Sequence, residues 1–260
     1  MDSKGYNMKR KISIAVKETK MILFSLLWTS ICLTLLNCPA SIAAEFSTFA
    51  GGEFDGHGQG FSYLGVDLTQ NINKTIAVSG RVVPNYLTYQ YYSGDNIIRA
   101  NSPGLSTVAG IKLFWDKTML GIWGGVEFRN TTLSPDDPSA RTRGSTTAGT
   151  IQGEFDTWFP GRTNFNVSAS YSGTSDFVYE KARIKKQITN LDFQQGPFTL
   201  AAGVEQFFGQ NSDFHGEGAA LLLELYYIPL KFSIALRGGM KHDTTFGNGV
   251  YGGLDLYKGF

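Results

Sequence analysis

Three histidines are the residues of this sequence whose types and neighbours come nearest to a catalytic or metal-binding set. They are His57, His215 and His242, and four carboxylates lie close to them along the chain: Asp55, Asp213, Glu217 and Asp243. A histidine beside a serine can act as a general base, and several histidines with carboxylates can hold a metal ion. The same residue types also make ordinary solvated loops. An enzyme that acts through these histidines therefore stays open as an alternative hypothesis.

Motifs of the common catalytic classes are missing from the chain. GxxxxGK, HExxH and GxSxG do not occur, and the glycine-rich FDGHGQG at 54–60 fits a hairpin loop better than a phosphate-binding loop. Cys32 and Cys38 both lie near the N-terminus, so the rest of the chain has no thiol nucleophile, disulfide or cysteine-based zinc site. A formal net charge of +1 provides no basic field for nucleic acid. We expect no enzyme activity, no cofactor, no metal ion and no nucleic-acid partner.

The elements that must position the polar residues are β-strands, because apolar residues recur with period two. In one segment Leu120, Ile122 and Val126 share a face, and Glu127 and Arg129 lie on the other. Most segments have 9–13 residues, whereas ordinary globular strands have about 5–6 and membrane-spanning strands about 9–11. About twelve such segments follow one another, at 45–53, 60–70, 75–91, 105–115, 118–130, 144–158, 163–172, 176–188, 198–208, 217–228, 231–241 and 248–260.

The connections between these segments alternate between short and long. Very short turns fall at 71–74, 116–117, 160–162 and 228–230, and longer polar loops at 54–59, 92–104, 131–143, 209–216 and 242–247. Two connections fit less well, since 172–175 is short where a long loop is due and 189–197 is long where a turn is due. Aromatic residues, among them Trp115, Trp158, Tyr91 and Phe207, cluster near the strand ends. We predict an all-β fold, an antiparallel transmembrane β-barrel of about 12 strands of the outer-membrane type, with 10 strands as the runner-up. A soluble β-sandwich or soluble barrel is the other alternative.

The first 43 residues have the organisation of a targeting segment. Positive residues at 8–11, the apolar run at 21–36 and the small residues of SIAAEF follow one another as in a secretory signal peptide. A retained membrane anchor is the alternative, but the apolar run is short for a bilayer span of about 20 residues. We predict a signal peptide over 1–43, a single barrel domain over 44–260, and a location in the bacterial outer membrane with its lipid as a partner.

Continuing the alternation along each strand puts charges of both signs on the inward face. The acidic ones are Asp67, Glu127, Glu154, Asp156, Glu205, Glu224 and Asp255, and the basic ones are Arg81, Lys112, Arg129, Lys181, Arg183, Lys185 and Arg237. The two signs are equal in number, and charges in such a place need partners or water. This balance predicts a salt-bridge network across the lumen, and a polar conduit for sugar is the alternative.

The loop sequence LSPDDPSARTRGS interrupts the strands and carries four charges, Asp136, Asp137, Arg141 and Arg143. The run GVEFRNTTLSPDDPSARTRGSTTAGTIQGEFDTWF, and with it SASYSGTSDFVYEKARI, QGPFTLAAGVEQF and GNGVYGGLDLY, resembles the BcsS-type cellulose biosynthesis proteins over roughly residues 46–260. The resemblance implies an envelope protein tied to cellulose or a related exopolysaccharide, and it implies no catalytic residue. The four loop charges could then contact polysaccharide or a partner protein, or only each other.

The resulting functional expectation is a non-enzymatic outer-membrane accessory protein in the biosynthesis, export or surface anchoring of cellulose or another exopolysaccharide. Cellulose and other components of cellulose secretion are the partners that the resemblance implies. Two alternatives stay open. One is an outer-membrane enzyme that acts on lipid or polysaccharide through the loop histidines. The other is a small-solute porin, for which bulky lumen charges in a twelve-stranded barrel leave little open space.

Overall fold

Twelve antiparallel strands form one closed barrel in the computed structural model, which describes residues 44–193, 196–212 and 214–260. Residues 1–43, where we predict the signal peptide, lie outside the described residues. No helix in the described ranges is long and apolar enough to cross a membrane. The strands are β1 (Ala44–Asp55), β2 (Gly60–Asn71), β3 (Ile76–Ser93), β4 (Asn96–Trp115), β5 (Thr118–Ser134), β6 (Gly144–Phe159), β7 (Thr163–Ser172), β8 (Phe177–Phe193), β9 (Gly196–Gln210), β10 (His215–Tyr227), β11 (Phe232–Asp243) and β12 (Gly247–Gly259).

Barrel closure comes from the pairing of the first and last strands. Every strand pairs with its sequence neighbours, and β1 also pairs with β12, in a register that runs from Ser47 opposite Gly259 to Asp55 opposite Tyr251. The C-terminal residue continues this seam, since the Phe260 backbone N–H donates to the Phe46 carbonyl oxygen at 2.9 Å. The prediction of an all-β antiparallel barrel of twelve strands is confirmed, and the ten-strand alternative is wrong.

The two ends of the barrel differ in what they carry. One end, which we call the terminal rim, has residue 44, Phe260, the C-terminal end of β8 and the connections at 72–75, 116–117, 160–162 and 228–231. The opposite end, the loop rim, has the connections at 56–59, 94–95, 135–143, 173–176, 211–214 and 244–246. The connection at 135–143 is the longest at either end, because it holds two prolines and a run of polar residues that cannot extend the ladder.

Two connections expected as long loops are strand instead. The predicted loop at 92–104 is wrong, because β3 and β4 continue to the two-residue turn Gly94–Asp95, where Gly94 has a φ of 60°. The predicted connection at 189–197 is likewise mostly strand, since β8 runs to Phe193 and β9 begins at Gly196. Both stretches mix polar and apolar residues without alternation, and for that reason a loop was expected. Backbone pairing with the neighbouring strand makes them strand nevertheless.

Side chains alternate between a lipid-like outer face and a polar inner face. On β5 Ile122 is 52% exposed, whereas the adjacent Trp123 is 1% exposed and points into the barrel. Exposed aromatic residues flank the terminal rim, as expected at Trp115 and Trp158. Phe207 also lies near a strand end, but it does not face outward. It has the inward parity of Glu205 and packs edge-on against Tyr251 at 5.2 Å. The apolar outer face includes Leu64, Leu68, Val82, Ile111, Ile151, Ile184, Val204, Leu221, Leu223, Leu236, Met240 and Val250.

Candidate functional site

One group of charged residues in the lumen is centred on Arg81 of β3. Its Nε lies 2.6 Å from Asp67 Oδ2 on β2, and its Nη2 lies 3.2 Å from Glu154 Oε2 on β6. Lys112 of β4 adds a second cation, with Nζ 3.1 Å from Asp67 Oδ1. Because β3 and β6 are not neighbours in the sheet, the Arg81–Glu154 pair can only pass through the barrel interior. We call these four residues the Arg81 cluster.

A tryptophan supports this cluster from the side. The guanidinium carbon of Arg81 is 3.6 Å from the centroid of the Trp123 ring, and Trp123 Nε1 donates to Ser79 Oγ at 3.2 Å. A desolvated cation over an indole face is attracted by the ring quadrupole. The sequence expectation named only the charges here. The sequence could have placed Trp123 in the lumen as well, because Trp123 has the same inward parity as Glu127 on the same strand.

A second group, the Arg237 cluster, occupies the other side of the lumen. Arg183 of β8 bridges two carboxylates, with Nε 2.5 Å from Glu205 Oε2 and Nη2 2.5 Å from Asp255 Oδ2. Arg237 of β11 contacts the same two carboxylates, at 2.5 Å to Asp255 Oδ2 and 3.4 Å to Glu205 Oε1, and also Glu53 Oε2 at 3.2 Å. The Arg183–Asp255 pair spans β8 and β12, which three strands separate. Glu53 was missed because β1 was not included in the inward-face assignment.

Two aromatic rings lie between the clusters. Tyr63 donates its hydroxyl hydrogen to Asp255 Oδ1 at 3.0 Å, and its ring centroid is 6.1 Å from that of Phe49. Phe49 in turn faces the guanidinium of Arg81, whose carbon is 6.0 Å from the ring centroid. The two charged groups are thus linked through Phe49 and Tyr63 into one continuous interior layer. Neither ring was expected in the lumen network.

Two of the ion pairs outside these clusters join residues that the sequence placed in the network. Glu127 Oε1 is 2.5 Å from Arg129 Nη2, and Arg129 also donates to the Ser102 carbonyl oxygen at 2.9 Å and to Asn85 Oδ1 at 2.7 Å. Nearer the terminal rim, Lys185 Nζ is 2.6 Å from Glu224 Oε2. Both pairs join residues that the parity of the strands puts on the inward face.

Two residues expected in the network have no ion-pair partner among the described residues. Asp156 accepts hydrogen bonds from Asn164 Nδ2 at 3.1 Å and from Asn166 Nδ2 at 3.2 Å, so amides rather than cations satisfy it. Lys181 forms no ion pair within 4 Å in the described part of the chain. Parity along a strand fixes the face of a residue but not its height in the barrel, and height decides which charges meet.

The three histidines have separate surroundings. The His57 ring stacks on Phe246 at 4.4 Å, His215 meets Phe208 edge-on at 5.1 Å, and His242 Nδ1 is 2.9 Å from Asn248 Oδ1. In the part of the chain that the structure describes, no group of three or more His, Cys, Asp or Glu residues is placed to hold a metal ion. Asp55 and Asp243 both pair with Lys241, and Asp213 lies outside the described residues.

The 135–143 loop is ordered by its own charges. Arg143 forms a two-point contact with Asp136, at 2.7 Å from Nε to Oδ1 and 2.8 Å from Nη2 to Oδ2, and both side chains are exposed. Asp137 Oδ1 accepts from Ser139 Oγ at 2.6 Å and from the Ser139 backbone N–H at 3.0 Å. Hydrogen bonds from Ser139 hold the pKa of the Asp137 carboxyl below its usual value, and the Asp136 carboxylate raises the pKa of Arg143. Arg141 is exposed.

This loop folds onto the inward face of the β3–β4 hairpin. The Tyr91 hydroxyl donates to Asp137 Oδ2 at 3.1 Å, and the Tyr89 hydroxyl lies 3.0 Å from Thr142 Oγ1. The free edge of β3 is held by other connections of the loop rim. Gln90 Nε2 donates to the His57 carbonyl oxygen at 2.7 Å, and Thr245 Oγ1 donates to the Gln90 carbonyl oxygen at 3.3 Å. The hairpin and the loop therefore form one interlocked cap at the loop rim.

Comparisons with solved structures find other barrels. The translocator domain of the autotransporter NalP from Neisseria meningitidis is similar at 11% identity and a TM-score of 0.47, covering 95% of this chain and 96% of that chain. An outer membrane channel from Pseudomonas putida F1 is similar at 13% identity and a TM-score of 0.46, covering 86% and 99%. No curated protein matches the chain.

A family model covers almost the whole described part of the chain. The model described as cellulose biosynthesis protein BcsS matches residues 44–260. That range begins at the first residue of β1 and ends at the C-terminal residue that continues the β1–β12 seam. The chain belongs to the BcsS family of cellulose biosynthesis proteins.

Proposed function

We propose that this BcsS family member is a non-enzymatic barrel of the bacterial outer membrane that supports the export of cellulose or anchors it at the cell surface. In this proposal the loop rim faces the outside, the terminal rim faces the periplasm, and the polymer does not pass through the barrel. The membrane location is supported by the outer face, where Leu221 is 74% and Met240 66% exposed. A closed barrel with an apolar outer band of this kind is stable in lipid. In water the same band would be a large exposed apolar patch.

The observation that carries the proposal is the set of ion pairs that cross the lumen between non-neighbouring strands. Arg81 joins β3 to β6 through Glu154, and Arg183 joins β8 to β12 through Asp255. A glucan chain threading the barrel would have to separate such pairs. Separating each pair would give up a hydrogen bond between charged groups, worth about 1.5–3 kcal/mol. A surface role therefore agrees better with this interior than a role as a conduit.

The four charges of the 135–143 loop are the proposed contact with polymer or with a secretion component. Asp136 and Arg143 are exposed while they satisfy each other, and Arg141 is exposed beside them. Such groups can exchange their hydrogen bonds for those of sugar hydroxyls without burying an unpaired charge. Asp137 has a different part in the proposal, because it fixes the loop on Tyr91 and so sets the position of the other three.

The test is complementation of a deletion strain with variants of the two regions. In one variant Asp136, Arg141 and Arg143 are replaced by Asn, Gln and Gln, and in the other Arg81→Gln is combined with Glu154→Gln. Polymer at the surface is measured with a cellulose-binding dye, and barrel amount is measured as the heat-modifiable band on gels. We expect the loop variant to lose polymer and the lumen variant to keep it. A double variant of other exposed loop-rim carboxylates, Asp95→Asn with Asp176→Asn, serves as the matched control and should keep it too.

The reverse result would contradict the proposal. Loss of polymer in the lumen variant, with normal barrel amount, would assign transport to the interior. Full polymer in the loop variant would make the loop a spacer with no contact function.

A further inference from the structure

We propose that the free edge of β8 at the terminal rim, residues 188–193, binds an extended acidic peptide segment of a partner protein, which adds to the barrel as a further strand. This inference goes beyond the proposed surface function and does not depend on it, because it concerns the opposite end of the barrel.

The β8–β9 hairpin extends past its neighbour on one side. The pairing of β7 with β8 ends where Thr163 lies opposite Lys186, and a last hydrogen bond runs from the Gln187 N–H to the Arg162 carbonyl oxygen at 3.0 Å. On its other side β8 is paired with β9 as far as Phe193 opposite Gly196, with a shift of register at Ile188, between Gln187 and Thr189. In the described part of the chain no strand pairs with 188–193 on the β7 side. Backbone N–H and C=O groups of an unpaired edge are a template for another strand.

The loop rim shows how this chain treats a similar overhang elsewhere. The pairing of β2 with β3 ends where Gly60 lies opposite Thr88, and β3 then continues to Ser93. That edge is covered from within the chain, by the contacts of Gln90 with the His57 carbonyl oxygen and with Thr245 Oγ1. Proteins usually cover or blunt such edges because they invite further pairing. The β8 edge has only local protection among the described residues, a register shift between Gln187 and Thr189 and a hydrogen bond from Thr189 Oγ1 to the Asn190 carbonyl oxygen at 3.1 Å. No other connection of the described chain crosses it, so the edge stays accessible to a partner strand.

The charge of the terminal rim indicates the chemistry of that partner. Arg162 and Lys186 are both exposed at the point where the free edge begins. The cations of this rim are Lys74, Lys117, Arg162, Lys186, Lys231 and Lys258, and the carboxylates among its described side chains are Glu45 and Asp116. An incoming acidic strand gains attraction from this excess of cations, which also raises its rate of association. A second copy of this chain would bring an equally cationic rim and be repelled.

An apolar side chain at the edge adds a second element of recognition. Ile188 is 60% exposed at the start of the overhang. In a newly paired strand, a side chain opposite or diagonal to it would lie within contact distance, and cross-strand apolar pairs stabilise a sheet. The segment that fits best is therefore extended, with apolar residues alternating with Glu or Asp, and it gains most of its affinity from backbone hydrogen bonds.

A peptide titration tests this inference on the full protein purified from membranes in detergent. The probe is a fluorescein-labelled decapeptide that alternates Val with Glu. One twin has Lys in place of every Glu, and a second twin keeps the Glu residues but is N-methylated at alternate backbone positions. We expect the acidic probe to bind about tenfold tighter than the Lys twin at low salt. The N-methylated twin should not bind, because it lacks the donors that pair with the edge.

Protein variants separate the edge from general charge attraction. Arg162→Gln combined with Lys186→Gln should weaken binding of the acidic probe. Lys74→Gln combined with Lys231→Gln removes two cations of the same rim that do not border the free edge, and should weaken binding clearly less than the Arg162 and Lys186 pair does. Equal binding by the N-methylated twin, equal binding by the Lys twin, or no binding by any peptide would overturn the inference. So would a dimer of the free protein that dissociates on Thr189→Pro substitution, which would assign the edge to a second copy.

Discussion

Arg183 on β8 reaches Asp255 on β12 across the lumen, with Nη2 2.5 Å from Oδ2, although three strands lie between them in the sheet. This contact ties the second half of the barrel to the seam where the chain closes on itself. Arg237 contacts the same carboxylate from β11, so one carboxylate serves two guanidinium groups. The closing strand is therefore held by its backbone ladder with β1 and also by charges that project inward.

The first prediction compares a buried ion pair with an exposed one. Arg237→Met should destabilise the barrel by about 3–5 kcal/mol, because the buried Glu205 would lose one of its two cationic partners. The side chains of Arg237 and Glu205 are 1% and 0% exposed. Arg143→Gln, which breaks the exposed pair with Asp136, should leave stability unchanged. Urea titration of the heat-modifiable band measures both, and equal unfolding midpoints for the two variants would contradict the structural role of the Arg237 cluster.

The second prediction tests whether the apolar outer face contacts lipid, by making the same substitution at two positions along the barrel. Ile122→Arg, five residues into β5 from the terminal-rim turn, should cost about 2–4 kcal/mol if that face lies near the bilayer midplane. Ile188→Arg is the matched control, because Ile188 is similarly exposed but lies on the overhang at the terminal rim. It should cost about 0–1 kcal/mol, as expected near or beyond the interface. Folding into lipid vesicles is the measurement, and similar costs at both sites would argue against a membrane band around the barrel.

Alternation along the chain was sufficient to predict the strand count and the face of most residues. The inward parity of Glu127, Glu205 and Arg237 follows from apolar neighbours at odd or even positions. Strand pairing was harder to predict in 92–104. Asn101, Ser102 and Pro103 are residue types typical of turns, yet their backbone pairs with β3. The partner of each charge could not be predicted, since strand tilt and register set the height of a residue in the lumen. Asp156 and Lys181 therefore have the expected parity but form no ion pair in the part of the chain that the structure describes.

The third prediction concerns pH and the attachment of the 135–143 loop. The pKa of Asp137 is lowered by the hydrogen bonds from Ser139, so the ionised form is the one that the folded loop favours. A lowered pKa contributes order that is present above the unfolded pKa, about 3.9 for Asp, and is lost as pH falls through the folded value. A spin label at Ala140→Cys should therefore stay immobile down to about pH 4 and become mobile only below it. The same label with Asp137→Asn should be mobile at neutral pH.

Mobility that rises well above pH 4 in the otherwise unchanged chain would contradict this assignment. The label at Ala140 reports on the loop alone. The heat-modifiable band, measured at the same pH values, shows whether the barrel itself stays folded.

The fourth prediction addresses the histidines. A triple substitution of His57, His215 and His242 by Gln should keep cellulose output at the level of the unchanged protein, because each ring has its own neighbour and the three share none. Gln retains hydrogen-bonding capacity, so the loops should keep their structure. Dye binding by complemented cells is the measurement. Loss of polymer with a normal amount of folded barrel would favour the enzyme hypothesis instead.

The last prediction fixes the orientation of the barrel in the membrane. A cysteine at Ala140, on the 135–143 loop, should react with an impermeant thiol reagent on intact cells. A cysteine at Lys117, on a terminal-rim turn, should react only after the outer membrane is opened. Both positions lie in connections rather than strands, so neither change should disturb the ladder. The reaction is specific because the only natural cysteines, Cys32 and Cys38, lie in the segment predicted to be removed as a signal peptide. Labelling of Lys117→Cys on intact cells, with Ala140→Cys protected, would invert the barrel. It would also move the proposed polymer contact to the periplasm, and the acidic peptide site would then have to be sought at the cell surface.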